Sequence, residues 1–221
     1  MEVFKLKKFF KLFVLISCLF LLLFLYTFLC ASSYAQTVSS DIADSVFRLH
    51  VIANSDSNED QNLKYLMRDK LIEYMNSLCS NTCSKEEAMK IANENIEVLQ
   101  NIAQNVVYEN GFNYSVNVNI GKYNFPTKNY GDISLPAGTY DALRVEIGEA
   151  KGQNWWCVMF PPLCFVDVTS GIVPEESKEV IKDNLSNEEY NLINNEKKAG
   201  FTFKFKILEW FQDNKILTAK K

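Results

Sequence analysis

Ser45-Val46-Phe47-Arg48-Leu49-His50-Val51-Ile52-Ala53, running into Asn54-Ser55-Asp56-Ser57, is the stretch on which the architecture of this chain turns. Successive side chains of an extended backbone point to opposite faces, so Phe47, Leu49, Val51 and Ala53 share one side and Arg48, His50 and Ile52 the other. The pattern predicts a strand with one well-buried side. Ser57 with Asp60 three residues on has the spacing of a helix cap, and acidic side chains suit the positive end of a helix. Leu63, Leu66, Met67, Leu71, Tyr74, Met75 and Leu78 then recur at three- and four-residue steps, which predicts a helix over 58–78 laying one apolar stripe on a core.

Further along, Ser84 and Glu87 repeat the capping spacing and open a second helix, with the stripe Ala88, Ile91, Ala92, Leu99, Ile102, Ala103, Val106 and Val107 and with Gly111 as its C-terminal cap. Tyr114, Val116, Val118 and Ile120 alternate with polar residues as a half-buried strand. Residues 126–138, with two Pro and two Gly and little periodicity, read as a long surface loop. Residues 142–147 and 155–160 form two more strands, and the intervening Gly148-Glu149-Ala150-Lys151-Gly152 reads as the turn of a hairpin. Pro161-Pro162 ends the second of them, since neither has an N–H to donate. A polar helical stretch broken between Leu185 and Tyr190 follows, and the alternation of Phe201, Phe203, Phe205 and Ile207 reads as a further strand or as the start of a helix through Trp210. The fold class is therefore α+β: a mostly antiparallel sheet with two long helices inserted after the first strand.

The chain begins with Lys5, Lys7, Lys8 and Lys11 and a nearly unbroken apolar run over residues 12–31. Twenty residues at about 1.5 Å each match the roughly 30 Å hydrocarbon core of a bilayer, whereas a secretory apolar region is about 7–15 residues. Length favours an anchor, and Ser33-Tyr34-Ala35 favours a cleavage site, so both outcomes stay open. In either case the lysines hold the N-terminus on the cytoplasmic side and the remainder is exported. Residues 1–35 are thus a signal peptide or signal anchor and 36–221 a single exported domain, with 171–221 as an optional appendage. With 23 Lys and Arg against 27 Asp and Glu, and four of those lysines in the leader, the exported part is acidic and nucleic acid is not an expected partner.

Cys79, Cys83, Cys157 and Cys164 lie outside the apolar run, and disulfides are the default for an exported chain. Three pairings exist, of which proximity favours Cys157–Cys164 and Cys79–Cys83. His50 is the single histidine, so no metal site or cofactor is expected; the spacings match no zinc motif, and strand alternation favours His50 as a structural residue. The sharp alternative is an exported cell-wall hydrolase using His50 with Cys157 or Cys164. Acidic pairs such as Glu59-Asp60 and Glu175-Glu176 sit in solvated stretches where nothing raises a carboxyl pKa. Trp155-Trp156 places one indole on each face of its strand, the outward one a rigid anchor for a partner beside a braced turn.

Residues 48–61, Arg-Leu-His-Val-Ile-Ala-Asn-Ser-Asp-Ser-Asn-Glu-Asp-Gln, together with Leu135-Pro136-Ala137-Gly138-Thr139-Tyr140 and the run from Gly152 through Asn154-Trp155-Trp156-Cys157 to Pro161-Pro162-Leu163-Cys164-Phe165, resemble the stage II sporulation protein R family over about residues 45–168. Ala150 departs from the glycine expected there, and the tail after Gly171 carries no matching motif. The resemblance implies a signalling protein of endospore formers, made in the forespore and exported into the space between forespore and mother cell. It implies a ligand rather than an enzyme. Its partner would be a membrane-embedded aspartic protease, approached from the extracytoplasmic face, that cleaves the precursor of sigma-E. The family supplies no binding residues to carry over; Arg48, Asp56, Trp155 and Trp156 are the candidates, because strand ends and braced turns present them rigidly.

Overall fold

The computed structural model of the chain describes residues 2–79, 84–164 and 173–194. It divides into two compact units at Val38/Ser39. Helix α1 (Glu2–Ser45) supplies the first unit up to Val38, and apolar side chains there, among them Phe13, Leu15, Phe20 and Phe24, are exposed, whereas its last residues belong to the second unit, where Ile42 and Ala43 are buried. This helix is long and apolar enough to cross a bilayer.

The second unit is an α+β domain. Its elements are β1 (Phe47–Ile52), α2 (Asn58–Leu78), α3 (Lys85–Glu94), α4 (Ile96–Glu109), β2 (Val116–Phe125), β3 (Lys128–Tyr130), β4 (Ile133–Leu135), β5 (Gly138–Ile147), β6 (Asn154–Phe160), α5 (Glu175–Asp183) and α6 (Asn187–Ile193). Four strands form the main sheet in the order β2-β5-β1-β6, all antiparallel except the central β1/β5 pair. The core lies on one face: Phe47, Leu49 and Val51 meet Leu63, Met67, Leu71 and Met75 of α2, Leu99, Ala103 and Val107 of α4, and Leu143, Val145 and Cys157 of the flanking strands.

The expected caps are present. Ser57 Oγ accepts from the backbone of Asp60, Ser84 and Glu87 form a full capping box, and Gly111 closes α4 at φ +81°. The second long helix is interrupted at Asn95, whose side chain donates to Ile91 O at 2.9 Å and accepts from Tyr74 Oη at 2.9 Å. An asparagine side chain that bonds the preceding turn competes with the helical ladder, and so the segment reads as α3 and α4.

Three further expectations change. First, β5 and β6 are not a hairpin: β1 lies between them, and the connection 148–153 arches over its end. A strand as apolar as β1 gains most from ladders on both sides, and a six-residue connection is long enough to step across it. Second, β1 is buried on both faces, since Arg48 is 0% and His50 4% exposed. Third, residues 126–138 are not a bare surface loop. They contain the β3/β4 pair, and Ile133, Leu135 and Ala137 are buried. This small sheet is tied to α5, where Lys178 pairs with Asp132 at 2.5 Å, and Asn194 adds a bridge to Ile133.

The outer edge of β2 is closed by side chains. Gln100 of α4 donates to Val116 O at 2.7 Å and accepts from Val118 N at 2.9 Å, and Gln104 makes the same fork with Tyr114 O and Val116 N. These bonds occupy strand groups that otherwise template pairing with another chain. Cys83 and residues 201–207 lie outside the described residues, and with them the Cys79–Cys83 pairing and the expected final strand.

Candidate functional site

Register places the side chains of the second sheet face in rows. Gly121, Ala142, Arg48 and Val158 lie side by side; the next row is Asn119, Arg144, His50 and Trp156; the last is Asn117, Glu146, Ile52 and Asn154. Cross-strand neighbours are about 5 Å apart, so each row is a contiguous patch.

The first row is roofed. Gly121 and Ala142 leave room beside Arg48 for aromatic rings: the guanidinium carbon lies 4.0 Å from the Phe125 ring centre and 4.6 Å from that of Tyr140. Arg48 Nη2 donates to Tyr130 Oη at 2.6 Å, Nε donates to Cys157 O at 3.4 Å, and Tyr130 Oη donates onward to Trp156 O at 3.2 Å. Among the described residues the guanidinium meets no carboxylate, and its Nη1 has no partner. Desolvation is offset by ring faces and neutral acceptors. Burial pushes the phenols of Tyr130 and Tyr140 up, which keeps both neutral.

The second and third rows are half-open. The Trp156 indole lies on the His50 ring with centroids 3.8 Å apart, and His50 Nε2 meets Asn154 Oδ1 at 2.7 Å while Nδ1 has no partner. Burial lowers the His50 pKa from 6.5 to about 4, with Arg144 and Arg48 acting in the same direction against the Asn154 hydrogen bond and Glu146. Arg144 lies over Tyr123 at 5.0 Å and pairs with Glu146 at 2.5 Å, and its Nε is buried without a partner.

At the far end of this face two loops are latched together. Asn54 Oδ1 accepts from Glu149 N at 2.9 Å, its carbonyl accepts from Lys151 N at 3.1 Å, and Ala53 O accepts from Gly152 N at 2.9 Å. Gly148 has φ +56°, and a side chain there would run into Asn54 Oδ1; one at Gly152 would run into the Ser55 carbonyl. Asp56 Oδ1 accepts from Gln153 N at 2.7 Å, and Lys64 bridges Gln61 Oε1 and Gln153 O. Asp60 is not solvated as expected but buried beneath, and although burial pushes its carboxyl up, donors from Ser55 at 2.5 Å and Asn54 at 2.8 Å outweigh this and hold it below the usual carboxylate range.

Of the four residues singled out as contacts, Trp156 is on the half-open face and Arg48 is sealed under its roof. Asp56 spends its carboxylate on the latch. Trp155 is on the helix side, edge-on to Tyr65 at 5.4 Å and covered by Arg68 at 4.5 Å. Cys157 and Cys164 form a disulfide that ties β6 to the turn after it, with Cα atoms 5.4 Å apart. Cys157 faces the core while its neighbour Trp156 stacks on His50, so the imagined thiol–imidazole pair is not assembled. Asn119, Tyr123, Arg144 and Asn154 escaped the sequence reading. The available signals were the alternating charges Arg144 and Glu146 in the strand Ala142–Ile147 and the place of Asn154 in the quoted Asn-Trp-Trp-Cys run.

A family model described as Stage II sporulation protein R matches residues 43–170, from the last residues of α1 to just beyond the disulfide. Stage II sporulation protein R of Bacillus subtilis (strain 168) is 36% identical over 188 residues, covering 78% of this chain and 82% of that protein. No solved structure matches the chain.

Proposed function

This chain belongs to the stage II sporulation protein R family, and from that premise we propose that it is an exported signal of spore formation rather than an enzyme. In this reading the domain acts in the space between forespore and mother cell. It binds the extracytoplasmic face of a membrane-embedded aspartic protease and shifts that protease toward its active state, which triggers cleavage of the sigma-E precursor. A ligand acts in this way when it binds the active state more tightly than the inactive one.

The observation that carries the reading is the family match, because its span contains the latch, the half-open sheet face and the braced turn. The apolar helix α1 agrees with export as a signal or membrane anchor. The hydrolase reading loses its support, since both candidate thiols are joined to each other and His50 is held by Asn154 and Trp156.

The test is precursor processing in cells that express the cognate protease, with the chain exported, retained in the cytoplasm or absent. Processing only with the exported chain is the expected result, and processing that ignores export overturns it. Replacing residues 1–35 by a neutral cleavable signal then decides whether anchoring is part of the mechanism.

A further inference from the structure

We propose that the row Asn119–Arg144–His50–Trp156 is a docking surface for the side-chain carboxylates of an acidic, extended segment of a partner protein. The inference rests on the signalling reading above for the partner's role, though not for the chemistry. Three observations converge on it.

First, buried nitrogens without partners cluster on this sheet face. Arg144 Nε and His50 Nδ1 belong to cross-strand neighbours, and neither has a hydrogen-bond partner. Buried polar atoms are nearly always satisfied and a guanidinium nitrogen can only donate, so the unpartnered Arg144 Nε marks a place where an acceptor from outside fits, whereas neutral His50, whose Nε2 donates to Asn154 Oδ1, presents Nδ1 as an acceptor and adds no donor. Arg144 is preset for that role: Tyr123 supports its plane, and its side chain keeps 31% of its exposure.

Second, the charge on this face opposes that of the whole chain. The net charge is −4, yet among the described residues of the second sheet face the Arg144–Glu146 pair cancels and Arg48, sealed under its roof without a carboxylate, leaves one positive charge unmatched behind the open rows. Arg48 meets no carboxylate among the described residues, and Arg144 meets only Glu146. A guanidinium takes a carboxylate through paired donors, and an incoming acidic side chain would compete with Glu146 for those donors.

Third, the surroundings suit a docked segment. Asn117, Asn119 and Asn154 offer amides along the rim, and Trp156 is a half-buried aromatic wall fixed by its stack on His50. Aromatic and arginine anchors ringed by adaptable polar groups are the usual make-up of energetically dominant contacts.

The test uses the full chain in lipid nanodiscs, with an acetylated and amidated eight-residue Glu-rich peptide as probe and the same peptide with Gln for Glu as control. Binding is read from the Arg144 Nε–H and Trp156 indole resonances. The Gln peptide should bind at least tenfold more weakly, and Arg144→Gln should weaken the Glu peptide at least tenfold with the melting temperature unchanged. Glu146→Gln, which removes the internal competitor, should tighten binding about threefold, while Lys90→Gln on the exposed side of α3 should change nothing. Equal binding of the two peptides, or wild-type affinity in a folded Arg144→Gln chain, overturns the proposal. So does binding that appears only after residues 195–221 are removed, because the chain's own tail would then be the occupant. No protease is present in these experiments. Their failure therefore removes the surface and leaves activation standing, whereas failure of the cellular processing assay leaves peptide binding intact.

Discussion

Trp156 lies almost parallel to His50, at 19° with ring centroids 3.8 Å apart, and this stack joins β6 to β1 on the sheet face away from the helices. The imidazole is thereby held dry, and its pKa falls from 6.5 to about 4.

A histidine that is harder to protonate in the folded state makes stability sensitive to acid. The sign follows from proton uptake: between pH 6.5 and about 4 the unfolded chain binds a proton at this position that the folded chain refuses, so stability is complete above that window and falls as pH drops through it. The shift corresponds to about 3 kcal/mol. Urea unfolding of the detergent-solubilised chain at pH 7 and pH 4, compared with His50→Gln, should show a gap between the two proteins that narrows toward pH 4. A constant gap would contradict a neutral buried His50.

Ala150 has φ +50°, a left-handed conformation that costs a residue with a Cβ about 1–2 kcal/mol. Ala150→Gly relieves that strain while loosening the unfolded chain by about 0.4–1 kcal/mol. The expected net gain is about 0.5–1 kcal/mol, read as a melting temperature about 2 °C higher. Gly148→Ala should do the reverse and cost more than 2 kcal/mol, because its side chain would strike Asn54 Oδ1 at the latch.

Gln100 and Gln104 each hold both a donor and an acceptor of the β2 edge. Changing both to Ala should cost about 2–4 kcal/mol for the four bonds lost. It should also raise concentration-dependent self-association, measurable by light scattering, since the exposed ladder becomes available to a second chain.

The Cys157–Cys164 bridge closes a loop with a sequence separation of 7, for which chain entropy gives about 2 kcal/mol. Paired Cys157→Ser and Cys164→Ser substitutions should lower urea stability by that amount and blunt precursor processing, because β6 carries Trp156 on the half-open face. Full processing by the reduced protein would separate the braced turn from the signal.

What could be read in the sequence was local. Ser57, Ser84 and Glu87 announce their caps within four residues, Phe47-Leu49-Val51 announces a strand, and Cys157 with Cys164 announces a bridge. The placement of β1 was not legible, because a six-residue connection suits a hairpin and an arch alike, and only the packing of Asn54 beneath Gly148 distinguishes them. The same holds for the roof over Arg48: Phe125, Tyr130 and Tyr140 look like unrelated aromatic residues until the β3/β4 pair folds back over the sheet. Arg144 and His50 become neighbours solely through the parallel β1/β5 register, which no local pattern encodes.

The insertion of β1 between β5 and β6 also sets a timetable for folding. Arg48 and the Cys157 carbonyl that it bonds are 109 residues apart in sequence, so β1 is among the first segments of the domain to be synthesised and must wait unpaired for both neighbours. Closing so long a loop makes sheet formation slow and late. A chain threaded through a narrow pore from its N-terminal side could therefore form its local helices early, but its four-stranded sheet would stay incomplete until residue 160 had passed.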